Sequence, residues 1–157
     1  MAGRGSRLRP HSLTIPKPML PIAGAPIVQQ LIYTISKAVK SSVDEVAYVI
    51  GDPAFFGKEI EETLIKTAES IGAKATIYRQ NEPLGTGHAV MCASPSLNGP
   101  TIIAFADTLI RADLEINPEV DGIIWVKEVE NPEAYGVVEL NNKKHVKNLI
   151  EKPQSFI

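Results

Sequence analysis

The sequence predicts an α/β fold, a mostly parallel sheet with helices on both faces and an antiparallel β portion toward the C-terminus. Three observations carry that expectation. Apolar residues recur at helical spacing in two long stretches, short apolar strand-like runs follow each of them, and from Gly122 onward the texture becomes strand-like throughout. The 157 residues, 44% apolar and 22% charged, suffice to bury a core and argue against disorder. No repeat, low-complexity tract or linker interrupts the chain, so a single domain over 1–157 is expected.

The elements follow in order. Ile27, Val28, Leu31, Ile32, Ile35, Ala38 and Val39 form one apolar stripe, predicting a helix from Pro26 to about Lys40 with proline in its first turn. Glu45 to Ile50 reads as a buried strand ended by Gly51-Asp52-Pro53. Ile60, Leu64, Ile65, Ala68 and Ile71 mark a second helix from about Phe55 to Ile71, stopped by Gly72, where φ can turn positive. A strand is expected over Ala75 to Arg79, a third helix over His88 to Ala93, and another buried strand over Thr101 to Ala106. Three alternations of strand and helix imply right-handed crossovers. Beyond them, Gly122–Val129, Tyr135–Leu140 and His145–Glu151 read as strands, the last two joined at Asn141-Asn142. Trp125 is assigned to core or interface packing and Cys92 to a small buried position on its helix.

Charge narrows the function. Sixteen Lys+Arg against eighteen Asp+Glu leave −2, with a pI near 5.9, which argues against a nucleic-acid or membrane-surface binder. The balance is uneven, however: residues 1 to 20 hold Arg4, Arg7, Arg9 and Lys17 and no acid, so that segment carries +4 and the remainder −6. One short segment is thus suited to an anion. A single cysteine makes neither an internal disulfide nor a Cys-rich zinc site, and no apolar run approaches a membrane span or a secretion signal, so a cytoplasmic setting is expected.

Within the basic segment, Gly3 and Gly5 allow backbone N–H groups to converge on an anion, Ser6 adds a hydroxyl donor, and Arg7 supplies a planar fork suited to phosphate oxygens. Pro16 and Pro18 stiffen the chain around Lys17, so little further entropy is lost when that lysine meets a phosphate. A Walker loop is excluded by the spacing, and a dinucleotide fingerprint by Leu8, which stands where a third glycine is required. Gln80 can offer donor and acceptor to a base edge beside Gly85. Read by itself, this stretch is equally a strand-to-helix turn hinged at Gly85, with His88 a helix N-terminal residue facing polar neighbours. Asp107 follows a strand-like run where open α/β sheets place ligand chemistry, although a turn aspartate would look the same.

Taken whole, Gly3-Arg4-Gly5-Ser6-Arg7-Leu8-Arg9-Pro10 followed by Pro16-Lys17-Pro18-Met19-Leu20-Pro21-Ile22-Ala23-Gly24-Ala25-Pro26 resembles the signature of the sugar-1-phosphate nucleotidyltransferases. That resemblance implies a Rossmann-like α/β fold and transfer of a nucleotidyl group from a nucleoside triphosphate to a sugar 1-phosphate, with release of pyrophosphate. It implies that Ala2, Gly3, Gly5, Ser6 and Arg7 cradle the triphosphate, that Arg7 and Lys17 are catalytic, and that Gln80 and Gly85 contact the base. It also implies Mg²⁺ as cofactor on Asp107, where Ala106 and Thr108 depart modestly from the usual Gly-Asp-Asn, and Gly136, Glu151 and Lys152 on the sugar phosphate. Leu84-Gly85-Thr86-Gly87-His88-Ala89 resembles the uridylyl- and thymidylyl-transferring members, so UTP or dTTP with glucose 1-phosphate is favoured. Guanylyl transfer to mannose 1-phosphate and a non-catalytic, regulatory nucleotide-sugar-binding relative are the alternatives. The partners implied are these two substrates, with no nucleic acid and no membrane; a homo-oligomer stays open. The family pattern also places a strand before the glycine-rich loop and a second metal-binding aspartate beyond Ile157, so the domain is expected to be incomplete at both ends.

Overall fold

The computed structural model describes residues 15–39, 41–111, 116–117 and 119–153. The chain divides into two compact units, Met1–Glu115 and Ile116–Ile157.

In the first unit a 3-10 turn, Lys17–Met19, leads into a small antiparallel hairpin of β1 (Pro21–Ile22) and β2 (Ala25–Pro26). Both central residues of its two-residue loop have positive φ, 49° at Ala23 and 87° at Gly24, the geometry that matches the twist of the flanking strands. Helix α1 (Ile27–Ala38) follows directly, with Pro26 standing just outside it and Ile27, Val28 and Leu31 buried. The Gln30 side chain folds back to the carbonyl oxygens of Ile22 and Ala25, tying the hairpin to the helix.

Strand β3 (Glu45–Ile50) and strand β4 (Lys74–Arg79) pair in parallel, Glu45 opposite Lys74 and Ile50 opposite Arg79. Helix α2 (Lys58–Glu69) makes the crossover between them and packs on both. It starts three residues later than the apolar periodicity predicts, because Asp52 holds Pro53–Phe56 in a turn: its carboxylate accepts from the Ala54 N–H at 2.8 Å and its carbonyl from Phe55 and Phe56. It ends at Glu69, two residues short of the expected Ile71, but the stop at Gly72 is as expected. Gly72 has φ 78°, and the Ala73 N–H reaches back to the Ala68 carbonyl at 3.1 Å, the six-to-one bond of a Schellman motif. Val28, Leu31, Tyr48, Ile50, Phe56, Leu64, Ala68, Ala73 and Ala106 form the core of this unit.

Two features of this unit, one in the core and one at its edge, are open to test. The Tyr48 hydroxyl is buried without a hydrogen-bond partner among the described residues, and burial pushes its acidity far below that of a free phenol. An unsatisfied buried hydroxyl costs about 1–3 kcal/mol, so Tyr48→Phe is expected to raise stability by about 1 kcal/mol; a lower urea midpoint would show that the hydroxyl is satisfied. At the edge of the pair, the Glu45 carboxylate accepts from Thr76 Oγ1 and, at 2.9 Å, from Ser96 Oγ. The bond from Thr76, then that from Ser96, outweigh the small opposing effect of burial, and Lys74 assists, so the carboxyl lies below its ordinary range. Because the folded value is depressed, the stabilisation is present above about pH 4.3 and is lost as pH falls through the folded value. Glu45→Gln is expected to flatten the decline in urea midpoint between about pH 5 and pH 3.

Helix α3 (Thr86–Cys92) begins two residues ahead of the sequence expectation, immediately after Gly85 at φ 97°. Thr101–Ala106, expected as a buried strand, is in no ladder: Ile103 and Phe105 are 55% and 56% exposed, and only Ala106 reaches the core. Apolar β-branched residues favour an extended chain, but a strand also requires a neighbouring edge, and among the described residues none pairs with this segment.

The second unit is built on an antiparallel pair, β5 (Gly136–Leu140) and β6 (Val146–Glu151), with an irregularity between Glu139 and Leu140. The Asn141 side chain organises the turn by accepting from the Lys143 and His145 N–H groups at 2.9 and 3.0 Å. Gly122–Val129, also expected as a strand, pairs with nothing among the described residues, and Trp125 stands 43% exposed rather than in a core. Among the described residues no helix is long and apolar enough to cross a membrane.

Candidate functional site

The proline-flanked lysine is presented by a short, hydrogen-bonded turn. Pro16 and Pro18 are both buried, and the Met19 and Leu20 N–H groups close the turn on the carbonyls of Pro16 and Lys17 at 2.8 and 3.1 Å. With its flanks fixed, Lys17 holds its ammonium 3.1 Å from the Asp107 carboxylate, although the two are 90 residues apart in sequence. Asp107 is presented by buried Ala106 on one side and by Thr108 on the other, whose N–H closes on the Phe105 carbonyl and whose hydroxyl donates to Asp107 Oδ1 at 3.2 Å. Partial burial raises the affinity of this carboxyl for its proton. The hydrogen bond and charge of Lys17, helped by Thr108, outweigh that and hold it below the usual carboxylate range. Thr108, which the sequence reading treats only as a departure from pattern, therefore helps position the acid.

A second group lies where β4 runs into α3. Gln80 continues the β4 ladder by donating its N–H to the Ile50 carbonyl at 2.9 Å, and only 9% of the residue is exposed. Its side-chain nitrogen donates to the Gly85 carbonyl at 2.9 Å and approaches His88 Nδ1 at 3.1 Å. Gly85 needs glycine for its backbone conformation rather than for space, since a Cβ there would meet nothing within 4 Å. An open cleft of about 310 Å³, lined by Arg79, Asn81, Glu82, His88 and Cys92, adjoins this group. Cys92 is half-buried there, not enclosed, with Sγ 4.0 Å from His88 Nε2. Arg79, which the sequence reading passes over, ties the region together: its guanidinium donates to the carbonyls of Gly51 at 2.7 Å and Phe56 at 3.1 Å and pairs with Glu61. An arginine ending a strand beside a polar glutamine was the signal available.

The third group is in the second unit. Gly136 faces Glu151 across the β5–β6 pair, and a Cβ on Gly136 would come within 2.9 Å of Glu151 Oε2. Lys152, at φ 46°, donates its N–H to the Tyr135 carbonyl at 2.9 Å. Gly136, Glu151 and Lys152 are thus neighbours at one end of the hairpin, with both charged side chains exposed. Ala2, Gly3, Gly5, Ser6 and Arg7 lie outside the described residues. Among the described residues no three His, Cys, Asp or Glu side chains cluster as a metal cage.

Residues 1–156 match the family model described as nucleotidyl transferase. The chain belongs to that family. It is 35% identical over 156 residues to the bifunctional protein GlmU of Methanococcus aeolicus, covering 98% of this chain and 35% of that protein. It is 30% identical over 167 residues to the mannose-1-phosphate guanylyltransferase catalytic subunit beta of Drosophila pseudoobscura pseudoobscura, covering all of this chain and 43% of that one. The chain therefore spans less than half the length of these relatives. A crystal structure of UDP-glucose pyrophosphorylase complexed with UDP-glucose superposes with a TM-score of 0.69 at 23% identity, over 97% of this chain and 66% of the other. That likeness assigns the fold, Rossmann-like α/β.

Proposed function

We propose that this nucleotidyl transferase chain carries the nucleotide-handling part of a sugar-1-phosphate nucleotidyltransferase, which joins a nucleoside triphosphate to a sugar 1-phosphate and releases pyrophosphate. The observation that supports this most is the meeting of Lys17 with Asp107 at 3.1 Å, a cation singled out in the sequence for the transferred phosphate and an acid singled out for Mg²⁺. In the proposed step an oxygen of the sugar phosphate attacks the α-phosphorus in line as the bond to pyrophosphate breaks. The nucleophile is already ionised near neutral pH, so no general base is required. The work left to the protein is positioning and charge neutralisation, Lys17 on the transferred phosphate and Arg7 on the departing pyrophosphate.

Asp107 fits Mg²⁺ as a single, half-exposed carboxylate, since this ion takes one or two carboxylates and completes its shell with water and substrate phosphates. When bound, the ion would neutralise phosphate charge. On this reading Gln80 and Gly85 contact the base, and Gly136, Glu151 and Lys152 contact the sugar phosphate, as the sequence resemblance implies. The Leu84–Ala89 string supports UTP or dTTP with glucose 1-phosphate. The Drosophila relative supports guanylyl transfer to mannose 1-phosphate as a second reading.

The deciding experiment is pyrophosphate release from a panel of nucleoside triphosphates and sugar 1-phosphates in Mg²⁺, with calorimetric titration of the same sample. Turnover with one pair names the substrates. Binding without turnover supports a nucleotide-binding, non-catalytic role, and the absence of both overturns the proposal.

A further inference from the structure

We infer that His88 is a positioning residue that fixes the direction in which Gln80 offers its amide oxygen, so that selectivity among bases depends on an imidazole that does not itself contact the nucleotide. The inference rests on the placement of Gln80 at the base.

A glutamine amide carries two N–H donors on nitrogen and two acceptor sites on oxygen, so its specificity depends on which end is presented and on the tilt of its plane. Here the nitrogen serves two anchors, the Gly85 carbonyl at 2.9 Å and His88 Nδ1 at 3.1 Å. One bond would leave the amide free to swing about that contact. Two bonds commit both hydrogens and fix the plane, and they do so on a side chain that is nine-tenths buried. Among the described residues nothing donates to Gln80 Oε1.

The two anchors agree only when His88 Nδ1 is an acceptor, which puts the ring proton of the neutral imidazole on Nε2. Cys92 Sγ, 4.0 Å from Nε2 and one turn further along α3, is placed to receive that proton as a weak acceptor. Among the described residues the charged groups that line the same cleft are Arg79 and Glu82; Arg79 is engaged with Gly51, Phe56 and Glu61. An imidazole with its proton on Nδ1 would confront the Gln80 N–H group donor to donor and favour a flipped amide, which the Gly85 carbonyl opposes. His88 therefore decides whether the two anchors reinforce or oppose each other.

The functional consequence follows from base chemistry. A fixed amide oxygen complements a ring N–H, as in uracil, thymine or guanine, and confronts the ring lone pair that cytosine or adenine carries in the equivalent place. Sites that hydrogen-bond one partner reject its counterpart mainly by leaving buried polar groups unpaired. If the amide can swing, that rejection weakens.

The test is calorimetric titration of the chain with UTP, CTP, GTP, ATP and inorganic tripolyphosphate, for the wild type, His88→Ala and His88→Asn. The wild type is expected to prefer UTP to CTP, or GTP to ATP. His88→Ala should lose about tenfold of that preference, the worth of one well-placed hydrogen bond, with tripolyphosphate affinity unchanged. His88→Asn, whose amide oxygen stands near the position of Nδ1, should restore it. The inference is overturned if the wild type does not discriminate, if His88→Ala keeps the preference, if it weakens all five ligands equally, or if His88→Asn fails to rescue. Failure of the wild type to bind any triphosphate would overturn the proposed function as well, whereas selective wild-type binding that His88→Ala leaves intact overturns this inference alone.

Discussion

Lys17→Ala is expected to cut pyrophosphate release by about 10²–10³-fold, the loss seen when one preorganised charge is removed from a developing phosphate or oxyanion charge. The fold should survive. Pro16 and Pro18, not the lysine side chain, make the buried contacts of the turn, and the ion pair with Asp107 is 30% exposed on the lysine side and 52% on the aspartate side. Pairs as accessible as this are worth about 0.2–1 kcal/mol, so the urea midpoint should scarcely move. Lys17→Arg provides the control: it keeps the positive charge but exchanges a compact ammonium for a broad planar fork, and should recover only part of the rate. If Lys17→Ala retained wild-type turnover, or lost it only in proportion to a loss of folded protein, the role assigned to Lys17 would be wrong.

That prediction depends on a contact which no local pattern encodes. Lys17 stands out in the sequence because prolines flank it, and Asp107 because it ends an apolar run, but their meeting is a product of tertiary structure across 90 residues. Local signals were dependable where a residue settles its own geometry. Gly72 and Gly85 take positive φ, α1 buries the face its apolar stripe marks, α2 buries Leu64 and Ala68 of its stripe but leaves Ile65 exposed, and Glu45–Ile50 is a strand at the residues expected. The signal failed where structure needs a partner. Thr101–Ala106 and Gly122–Val129 are as rich in β-forming residues as β3, but β3 has β4 beside it and among the described residues these segments have no paired neighbour. The hairpin at Ala23-Gly24 was missed for the opposite reason, since two-residue strands give no periodicity to detect and only the turn chemistry marked them. Similarly, the Asp52 turn displaced the start of α2 because a side chain accepting from the backbone competes with the first turn of a helix.

Phe56→Ala is expected to destabilise the first unit by about 3–5 kcal/mol, the transfer and cavity cost of removing a large buried ring. Phe56 is 1% exposed and packs edge-on against Phe55, with ring centroids 5.6 Å apart and planes at 85°. Domains of this size are stable by about 5–15 kcal/mol, so such a loss removes a large share of the total, and Phe56→Leu, which refills much of the volume, should cost less than half as much. The Arg79 guanidinium meets the backbone carbonyl of Phe56, not its ring, so the folded fraction should keep the arrangement beside Gln80. A ligand that binds only the folded state raises stability according to its concentration relative to its dissociation constant. Saturating nucleoside triphosphate should therefore raise the urea midpoint of Phe56→Ala by as much free energy as it does the wild type, while Lys17→Ala, stable by itself, should respond less. Should Phe56→Ala unfold at the wild-type midpoint, the core is not where these contacts place it. If it unfolds early and also ignores the nucleotide, the loop from Gly51 to Phe56 contributes to the binding site as well as to the core.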